Sequence, residues 1–301
     1  MHAFVFPGQG SQRPGMGEAW QGTEAWRRVE AFSDATGRDI AQLLLTADGD
    51  ELKTTANAQL ATFTLSLVIL AAVREAGGPE PVAVAGHSLG EYTALVAAGV
   101  LDETAGARLV AARGAAMQAA AAARPGTMAA VLGLELADVA AACAGVDGAW
   151  VANDNAPGQV VIAGTQTGVD TAGERARQRG AKRVIPLAVS GAFHTPLMAP
   201  AHEDLDVALA ATTFTDAAVS AVANVDATAH TAGGQWRGLL SAQLTSPVRW
   251  RESLGRLADM GVTAFVELGP GTELAGMVKR TVPTAGRLHV AAPPDLAALP
   301  R

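Results

Sequence analysis

One short segment combines a nucleophilic residue with the backbone that such a residue requires. Residues 86–90 (GHSLG) fit the pattern G-x-S-x-G and stand between a predicted strand at 82–85 and a predicted helix at 88–98. Because a strand that turns into a helix within two residues crowds the backbone, a side chain at either glycine would clash. The hydroxyl of Ser88 would lie at a helix N-terminus, where free amides can stabilise an oxyanion. A glycine-rich turn with a serine N-cap has the same pattern, but the strand–turn–helix context favours a nucleophile.

A serine nucleophile needs a base, and the best candidate among the six histidines is His194. It lies in a loop at 190–196 (SGAFHTP) after a predicted strand, where α/β proteins keep catalytic groups. His87 precedes the serine, so we expect its side chain to point elsewhere, and His202 lies in an acidic helical segment that should face solvent. A lone loop histidine is more often structural, but the serine turn demands a partner.

Other kinds of site find little support. Residues 8–10 (GQG) follow a strand, but a dinucleotide fingerprint would need glycine where Arg13 stands, and no phosphate-loop pattern occurs. No spacing of His, Asp or Glu resembles a metal site, and the one cysteine, Cys143, excludes an internal disulfide. Lys plus Arg total 22 against 29 Asp plus Glu, and the net charge of -7 argues against nucleic-acid binding.

The composition indicates a globular protein, since 49% of the residues are hydrophobic and 17% are charged. No run of 18 apolar residues occurs, so no membrane span is expected. The N-terminus (MHAFVFPG) lacks the basic region of a signal peptide. These features predict a cytoplasmic protein.

Strand-like and helical segments alternate along the chain, which is typical of an α/β fold with a mainly parallel sheet. Between 127 and 189, short strands alternate with short helices and predict a small β-α-β-β-α-β insert. We therefore expect a discontinuous large α/β domain, residues 1–126 and 190–301, and a small α+β domain at 127–189. A cleft between two such bodies is a natural ligand site.

The individual elements follow from apolar periodicity and from glycine and proline breaks. Predicted strands lie at 3–6, 82–85, 128–134, 159–163, 182–189, near 219 and at 264–268. Predicted helices lie at 58–76, 88–98, 102–123, 136–143, 168–179, 198–211, 247–260 and from 272 onward.

Seven further groups of residues accompany the serine motif, which extends to 86–92 (GHSLGEY). They are 6–12 (FPGQGSQ), Arg113-Gly114 with Met117-Gln118, 153–163 (NDNAPGQVVIA), 191–194 (GAFH), Asn224-Val225, Gln243 with Pro247, Val248 and Trp250, and 267–271 (ELGPG). In this order, and over nearly the whole chain, they resemble the malonyl-CoA:acyl carrier protein transacylase family, the acyltransferases of fatty-acid and polyketide synthesis.

The resemblance implies an α/β-hydrolase-like large domain, a ferredoxin-like insert and an acyltransferase with a serine nucleophile. It implies that Ser88 is acylated and that His194 acts as general base and then as general acid. The backbone amides of Gln9 and Leu89 would form the oxyanion hole. The main-chain carbonyl of Gln243 would hold the histidine in the useful tautomer, so no catalytic aspartate is expected.

The resemblance also assigns Arg113 to the free carboxylate of a malonyl group. If 102–123 is helical, Arg113 lies on an apolar stripe, where a cation either snorkels to solvent or has an anionic partner in the cleft; the matching motif favours the second. Phe193 is expected to exclude an added methyl group and so to favour malonyl over methylmalonyl. Asn155, in the matched segment of the small domain, is expected to support the site.

The implied reaction needs neither a cofactor nor a metal. Malonyl-CoA would acylate the serine, and the phosphopantetheine thiol of an acyl carrier protein would then take the acyl group with ping-pong kinetics. Members of this family are usually monomeric. Since carrier proteins are acidic, docking would need a local basic patch, and three candidates are Lys279-Arg280, Arg249 with Arg251, and Lys182-Arg183.

Three other functions are considered. An acyl hydrolase of the same fold, which clears acyl groups from carrier proteins, would keep the serine and histidine but tend to lose Arg113. An α/β-hydrolase esterase would need an HGGG-type loop, which is absent, and would leave 6–12 unexplained. A carrier-docking protein without activity would not need an intact nucleophile, base and arginine.

Overall fold

The computed structural model describes residues 1–300. Within them the chain forms ten strands, at His2–Phe6 (β1), Ala83–Gly86 (β2), Thr127–Leu132 (β3), Ala149–Ala156 (β4), Gln159–Gly164 (β5), Arg183–Pro186 (β6), Ser220–Val222 (β7), Ala229–His230 (β8), Ala264–Leu268 (β9) and Gly286–Val290 (β10).

The α-helices lie at Arg27–Thr36 (α1), Ile40–Leu45 (α2), Gly49–Lys53 (α3), Thr55–Glu75 (α4), Gly90–Ala97 (α5), Glu103–Ala123 (α6), Leu136–Cys143 (α7), Gln166–Gln178 (α8), His202–Ala211 (α9), Trp236–Gln243 (α10), Trp250–Asp259 (α11) and Glu273–Thr281 (α12). Short 3-10 helices lie at Glu18–Trp20, Glu24–Trp26, Pro196–Ala201, Gly233–Gln235 and Pro293–Ala298.

Six strands form one sheet in the order β10-β9-β1-β2-β7-β8, in which only β7 and β8 pair antiparallel. Alternate side chains of β1 enter two separate apolar clusters, Phe4 and Phe6 on one face, Ala3 and Val5 on the other. A parallel sheet is covered on both faces in this way. The loops after β1, β2 and β7 meet at one edge, because these three strands are neighbours and run in the same direction.

The other four strands form an antiparallel sheet in the order β4-β5-β3-β6 and share an apolar cluster with α7 and α8. Their chain order, strand-helix-strand-strand-helix-strand, is the predicted pattern of the insert. The large parallel sheet and the small antiparallel sheet confirm the predicted fold class. The predicted domain bounds at 127–189 stay a prediction, with all four strands of the small sheet inside them.

The structure adds elements that the apolar pattern does not predict. Strand β4 was not predicted, because the polar residues 153–155 (NDN) break its apolar alternation. Their side chains are nevertheless buried, because β4 also contacts the large part of the protein at Val248. The N-terminal helices α1, α2 and α3, helix α10 and the strands β8 and β10 are likewise absent from the prediction. Strand β6 covers four of the eight predicted residues.

Helix α4 is long and apolar enough, by length and composition, to cross a membrane. In its most apolar 18-residue window the mean hydropathy is 1.7, and 89% of the window is buried inside the protein. A helix that is apolar all round belongs in the core of a large protein as readily as in a bilayer. Here α4 packs against α6, the helix that carries Arg113.

Candidate active site

The serine motif forms a sharp turn between β2 and α5. Ser88 has a φ of 52°, in the left-handed region that residues with side chains rarely adopt. A Cβ on Gly86 would lie 1.8 Å from the carbonyl oxygen of Gly90, and one on Gly90 would lie 2.1 Å from that of Phe6. Both positions therefore require glycine. Helix α5 begins at Gly90, two residues later than predicted, so Ser88 lies in the turn that precedes it.

Asn224, in the loop after β7, holds this strained turn. Its Oδ1 accepts a hydrogen bond from the Ser88 amide at 2.7 Å, and its Nδ2 donates to the Gly86 carbonyl at 2.7 Å. The side chain is fully buried. A strained backbone persists only where its surroundings enforce it, and here one amide supplies two of the bonds. The family resemblance includes Asn224 in one of its motifs but implies no role for it.

Ser88 and His194 lie within hydrogen-bond distance, although 106 residues separate them. The Ser88 Oγ stands 2.7 Å from His194 Nε2, and His194 Nδ1 stands 2.8 Å from the main-chain carbonyl oxygen of Gln243. Because a carbonyl oxygen can only accept, Nδ1 carries the proton and Nε2 offers its lone pair to the serine hydroxyl. The arrangement is that of a general base beside a nucleophile.

The environment of His194 keeps the imidazole neutral. Burial, followed by the positive charge of Arg113, lowers the pKa of His194 to about 3, against the hydrogen bond to Gln243 that raises it. The backbone at His194 has a φ of 61°. The next residue, Thr195, is fully buried and donates its hydroxyl to the Ala192 carbonyl at 2.6 Å, which holds the loop. The imidazole of His194 is therefore unprotonated and fixed in place at neutral pH.

Arg113 is buried at 1% exposure, so the alternative in which it snorkels to solvent is wrong. Its guanidinium donates from Nη2 to Ser88 Oγ at 3.1 Å and to Gln243 Oε1 at 2.8 Å. Nη1 donates to Gln59 Oε1 at 2.6 Å, and the group lies 5.2 Å above the ring of Tyr92. A buried cation thus points at the Ser88 hydroxyl without a carboxylate in direct contact among residues 1–300.

Gln59 and Tyr92 were not predicted as site residues. Both are buried, and both position Arg113: Gln59 by a hydrogen bond and Tyr92 by a cation–π contact. Tyr92 could have been found from the extended serine motif at 86–92, in which it is the last residue. No local pattern points to Gln59, because it lies among the apolar residues of α4.

A cavity of about 220 Å³ opens onto these groups, between the two sheets. Its wall contains seven of the eight predicted site residues, namely Gln9, Ser88, Leu89, Arg113, Asn155, Phe193 and His194. Gln243 lies behind the wall and reaches the site only through its hydrogen bonds. Met128 and Val161 of the small sheet, and Leu187 just after it, also line the cavity. Ser88 therefore lies in a cavity lined by residues of both parts.

The remaining predicted residues lie around this cavity. Gln9 and Leu89 both line the cavity, and neither amide is bonded to a backbone carbonyl within residues 1–300. Their role as an oxyanion hole stays a prediction. Phe193 packs into the wall at 6% exposure. Asn155 Oδ1 accepts from His87 Nε2 at 2.8 Å, which ties the small sheet to the serine turn and directs His87 away from the hydroxyl. The residues 1–300 contain no group of three His, Cys, Asp or Glu placed to hold a metal ion.

Comparison with known proteins identifies the family. Residues 3–293 match the acyl transferase domain family. The chain is 44% identical over 284 residues to the malonyl CoA-acyl carrier protein transacylase of Bacillus subtilis (strain 168). The aligned region covers 92% of this chain and 89% of that protein.

Solved structures are equally similar. An acyl-carrier-protein S-malonyltransferase from Burkholderia pseudomallei 1710b is 42% identical with a TM-score of 0.94, covering 99% of this chain and 98% of the other. A malonyl-transacylase in complex with its type II PKS acyl-carrier protein is 38% identical, with a TM-score of 0.94 and coverage of 99% and 98%. The chain therefore belongs to the malonyl CoA-acyl carrier protein transacylases, within the acyl transferase domain family.

Proposed function

We propose that the protein moves a malonyl group from malonyl-CoA to the phosphopantetheine thiol of an acyl carrier protein through an ester on Ser88. The observation that carries this proposal is the buried guanidinium of Arg113, 3.1 Å from the Ser88 hydroxyl. A planar guanidinium binds a carboxylate through two parallel hydrogen bonds. An acyl group with a free carboxylate near the carbonyl under attack would therefore find its partner beside the nucleophile. The relatives described above carry the same activity in their names.

In the first half of the reaction, the Ser88 oxygen attacks the thioester carbonyl while His194 Nε2 takes its proton. The new carbon–oxygen bond gives a tetrahedral oxyanion, for which the amides of Gln9 and Leu89 are the donors in this proposal. When the carbon–sulfur bond breaks, the coenzyme A sulfur leaves with the proton from His194. The Gln243 carbonyl stabilises the imidazolium that forms between these two proton transfers.

The second half reverses these steps with a different thiol. The carrier's phosphopantetheine sulfur attacks the ester carbonyl and gives its proton to His194, which returns it to Ser88 as the ester bond breaks. Only protons and the acyl group move, so the proposal needs no cofactor and no metal. Catalysis in this proposal depends on stabilising two similar oxyanions and on excluding water from the ester.

Substrate size is the next part of the proposal. Phe193 precedes the base and lies in the cavity wall, where its ring would meet a substituent on the malonyl α-carbon. One methyl group typically changes specificity by about 1–3 kcal/mol. We therefore assign Phe193 a preference for malonyl over methylmalonyl that is real but incomplete.

The partners in this proposal are malonyl-CoA and an acidic carrier protein of fatty-acid or polyketide synthesis, and the protein would act as a cytoplasmic monomer, with no role for nucleic acid or a membrane. Of the three basic pairs suggested by the sequence, Arg249 and Arg251 are engaged. Arg251 bonds Asp154 at 2.8 Å and Glu135 at 3.3 Å, and Arg249 pairs with Glu252. This leaves the pairs at 182–183 and 279–280 as the better docking candidates.

The direct test is the intact mass of the purified protein after incubation with malonyl-CoA. We expect a malonyl adduct in the wild type, none in Ser88→Ala, and loss of the adduct when a carrier protein with a free phosphopantetheine thiol is added. Malonyl must then appear on the carrier. An adduct that is released to water at the same rate with and without the carrier would instead support the acyl hydrolase, and no adduct at all would refute both.

A further inference from the structure

A buried carboxyl next to the nucleophile has no part in the proton transfers described above. Glu91 lies on the first turn of α5, three residues after Ser88, at 1% exposure. We propose that Glu91 is the positioning residue of this site, because its two oxygens hold Asn224 and Gln243, which in turn hold the nucleophile, the base and the arginine. This proposal rests on the function proposed above and adds a role for a residue outside the cavity wall.

The first oxygen acts on the serine turn. Glu91 Oε1 accepts a hydrogen bond from the main-chain amide of Asn224 at 2.7 Å. Through its side chain, Asn224 holds the Ser88 amide and the Gly86 carbonyl. Glu91 thereby fixes the loop after β7 to α5. The left-handed conformation of Ser88 is stabilised by the Asn224 side chain, which Glu91 holds in place.

The second oxygen acts on Gln243. Glu91 Oε2 accepts a hydrogen bond from Gln243 Nε2, which also donates to the Ser88 carbonyl at 2.9 Å. Because both of these partners are acceptors, the NH₂ of Gln243 must face them, and its Oε1 must face Arg113, at 2.8 Å. A reversed amide would turn NH₂ toward the guanidinium, donor against donor. The carboxylate therefore determines which way the Gln243 amide points.

The same contact fixes the base, because the main-chain carbonyl of Gln243 is the acceptor for His194 Nδ1. Gln243 lies at the end of α10. A side chain held at two points by Glu91 and Ser88 keeps this carbonyl in register with the imidazole. One carboxylate thus connects three groups that come from different parts of the chain.

Charge strengthens the arrangement and provides a readout. Burial raises the pKa of Glu91 to about 8, against the Asn224 and Gln243 hydrogen bonds and the charge of Arg113, while Asp226 opposes ionisation. Tyr92, the next residue, is also buried and interacts electrostatically with both Glu91 and Arg113. Only the ionised carboxyl accepts at both oxygens, so acylation of Ser88 should rise with pH up to about 8. Burial and the charge of Arg113 lower the pKa of His194, away from the range in which this rise is expected.

The test is the rate of Ser88 acylation in Glu91→Gln, measured by rapid quench and intact mass with malonyl-CoA and with acetyl-CoA between pH 5.5 and 8.5. A displacement of about 1 Å in a reacting group can cost about 10²-fold. We expect both donors to lose about 10–10²-fold, because nucleophile and base are both displaced, and the rise with pH to disappear. Thr93→Val is the matched control: Thr93 is buried on the same helix with an unpartnered hydroxyl, and the variant should keep the wild-type rate and pH profile.

A double-mutant cycle separates positioning from loss of fold. If Glu91 acts through Gln243, the changes Glu91→Gln and Gln243→Ala together should slow acylation by less than the product of the two single effects. Rates are taken per folded protein, with the folded fraction measured by thermal unfolding. Full additivity, an unchanged pH profile in Glu91→Gln, or a loss confined to malonyl would each overturn the proposal. Absence of any adduct in the wild type would instead refute the proposed function.

Discussion

Replacing Arg113 by alanine tests the central part of the mechanism. The guanidinium is buried, and it already makes three hydrogen bonds, to Gln59, Ser88 and Gln243. A malonyl carboxylate would take two charge-assisted bonds from it, worth roughly 1.5–3 kcal/mol each, or about 3–6 kcal/mol together. At about 1.4 kcal/mol per tenfold change in rate, Arg113→Ala should lower kcat/KM for malonyl-CoA by about 10²–10⁴-fold.

An acyl group without a carboxylate responds differently. Acetyl-CoA never makes the two bonds, so it should lose only what the displacement of Gln59 and Gln243 costs, and the malonyl-to-acetyl ratio should fall by about 10²-fold or more. The assay is acylation of Ser88 by each donor, followed by intact mass. Arg108→Ala is the control, since Arg108 lies on the same helix with an exposed side chain, which within residues 1–300 bonds the Ala35 carbonyl. A ratio that stays within a few fold of wild type would refute the role of Arg113 as the carboxylate partner.

Three further predictions concern size, strain and pH. Phe193→Ser should raise the methylmalonyl-to-malonyl ratio by about 10-fold or more, because it removes a ring from the cavity wall; an unchanged substrate profile would show that the ring does not select for size. Asn224→Ala leaves the buried Ser88 amide and Gly86 carbonyl without partners and should lower the free energy of unfolding by about 2–6 kcal/mol, together with the acylation rate; urea denaturation measures the first, and equal stability would contradict the role of Asn224. Burial raises the pKa of Glu267 to about 7, against hydrogen bonds from the amides of Leu274 and Ala275. Because a glutamate in the unfolded chain ionises near 4.5, the native state holds this proton more tightly. The contribution of Glu267 to stability is thus complete below that pH and falls by about 3 kcal/mol as pH rises through 7. The difference in unfolding free energy between wild type and Glu267→Gln, measured from pH 4.5 to 8, should change by about that amount, and a constant difference would count against it.

Local sequence patterns predicted several elements of the fold. The strand Ala264–Leu268 lies where it was predicted, helix α7 has the predicted bounds, and α6 begins one residue after Asp102, whose carboxylate caps it through the amides of Thr104 and Ala105. These elements share apolar runs of ordinary length with glycine, proline or a capping residue at their ends. Strand β4 lacks such a run, since polar residues stand at 153–155. Asn153 and Asp154 are nevertheless buried, because they pair with the distant loop at Val248.

The candidate site divides in the same way. Ser88 and His194 were predicted from a motif and from a loop position, and the family resemblance added Arg113 and Gln243. Neither route reached Gln59, whose only signal is a polar side chain inside an apolar helix. Glu91 was visible in the motif, but its role depends on partners 133 and 152 residues away.

By itself the sequence determined the serine turn, because the crowding between Gly86 and the carbonyl of Gly90 involves residues only four positions apart. It also determined the alternation of strands and helices, and it predicted the insertion of a small α+β part between two halves of a larger one. Which side chains meet was decided only by the tertiary structure. Strand order brings the ends of β1, β2 and β7 together, and the loop with His194 and the end of α10 arrive from other parts of the chain. A local pattern reports on backbone conformation and on burial, whereas hydrogen bonds between distant residues depend on how whole elements pack.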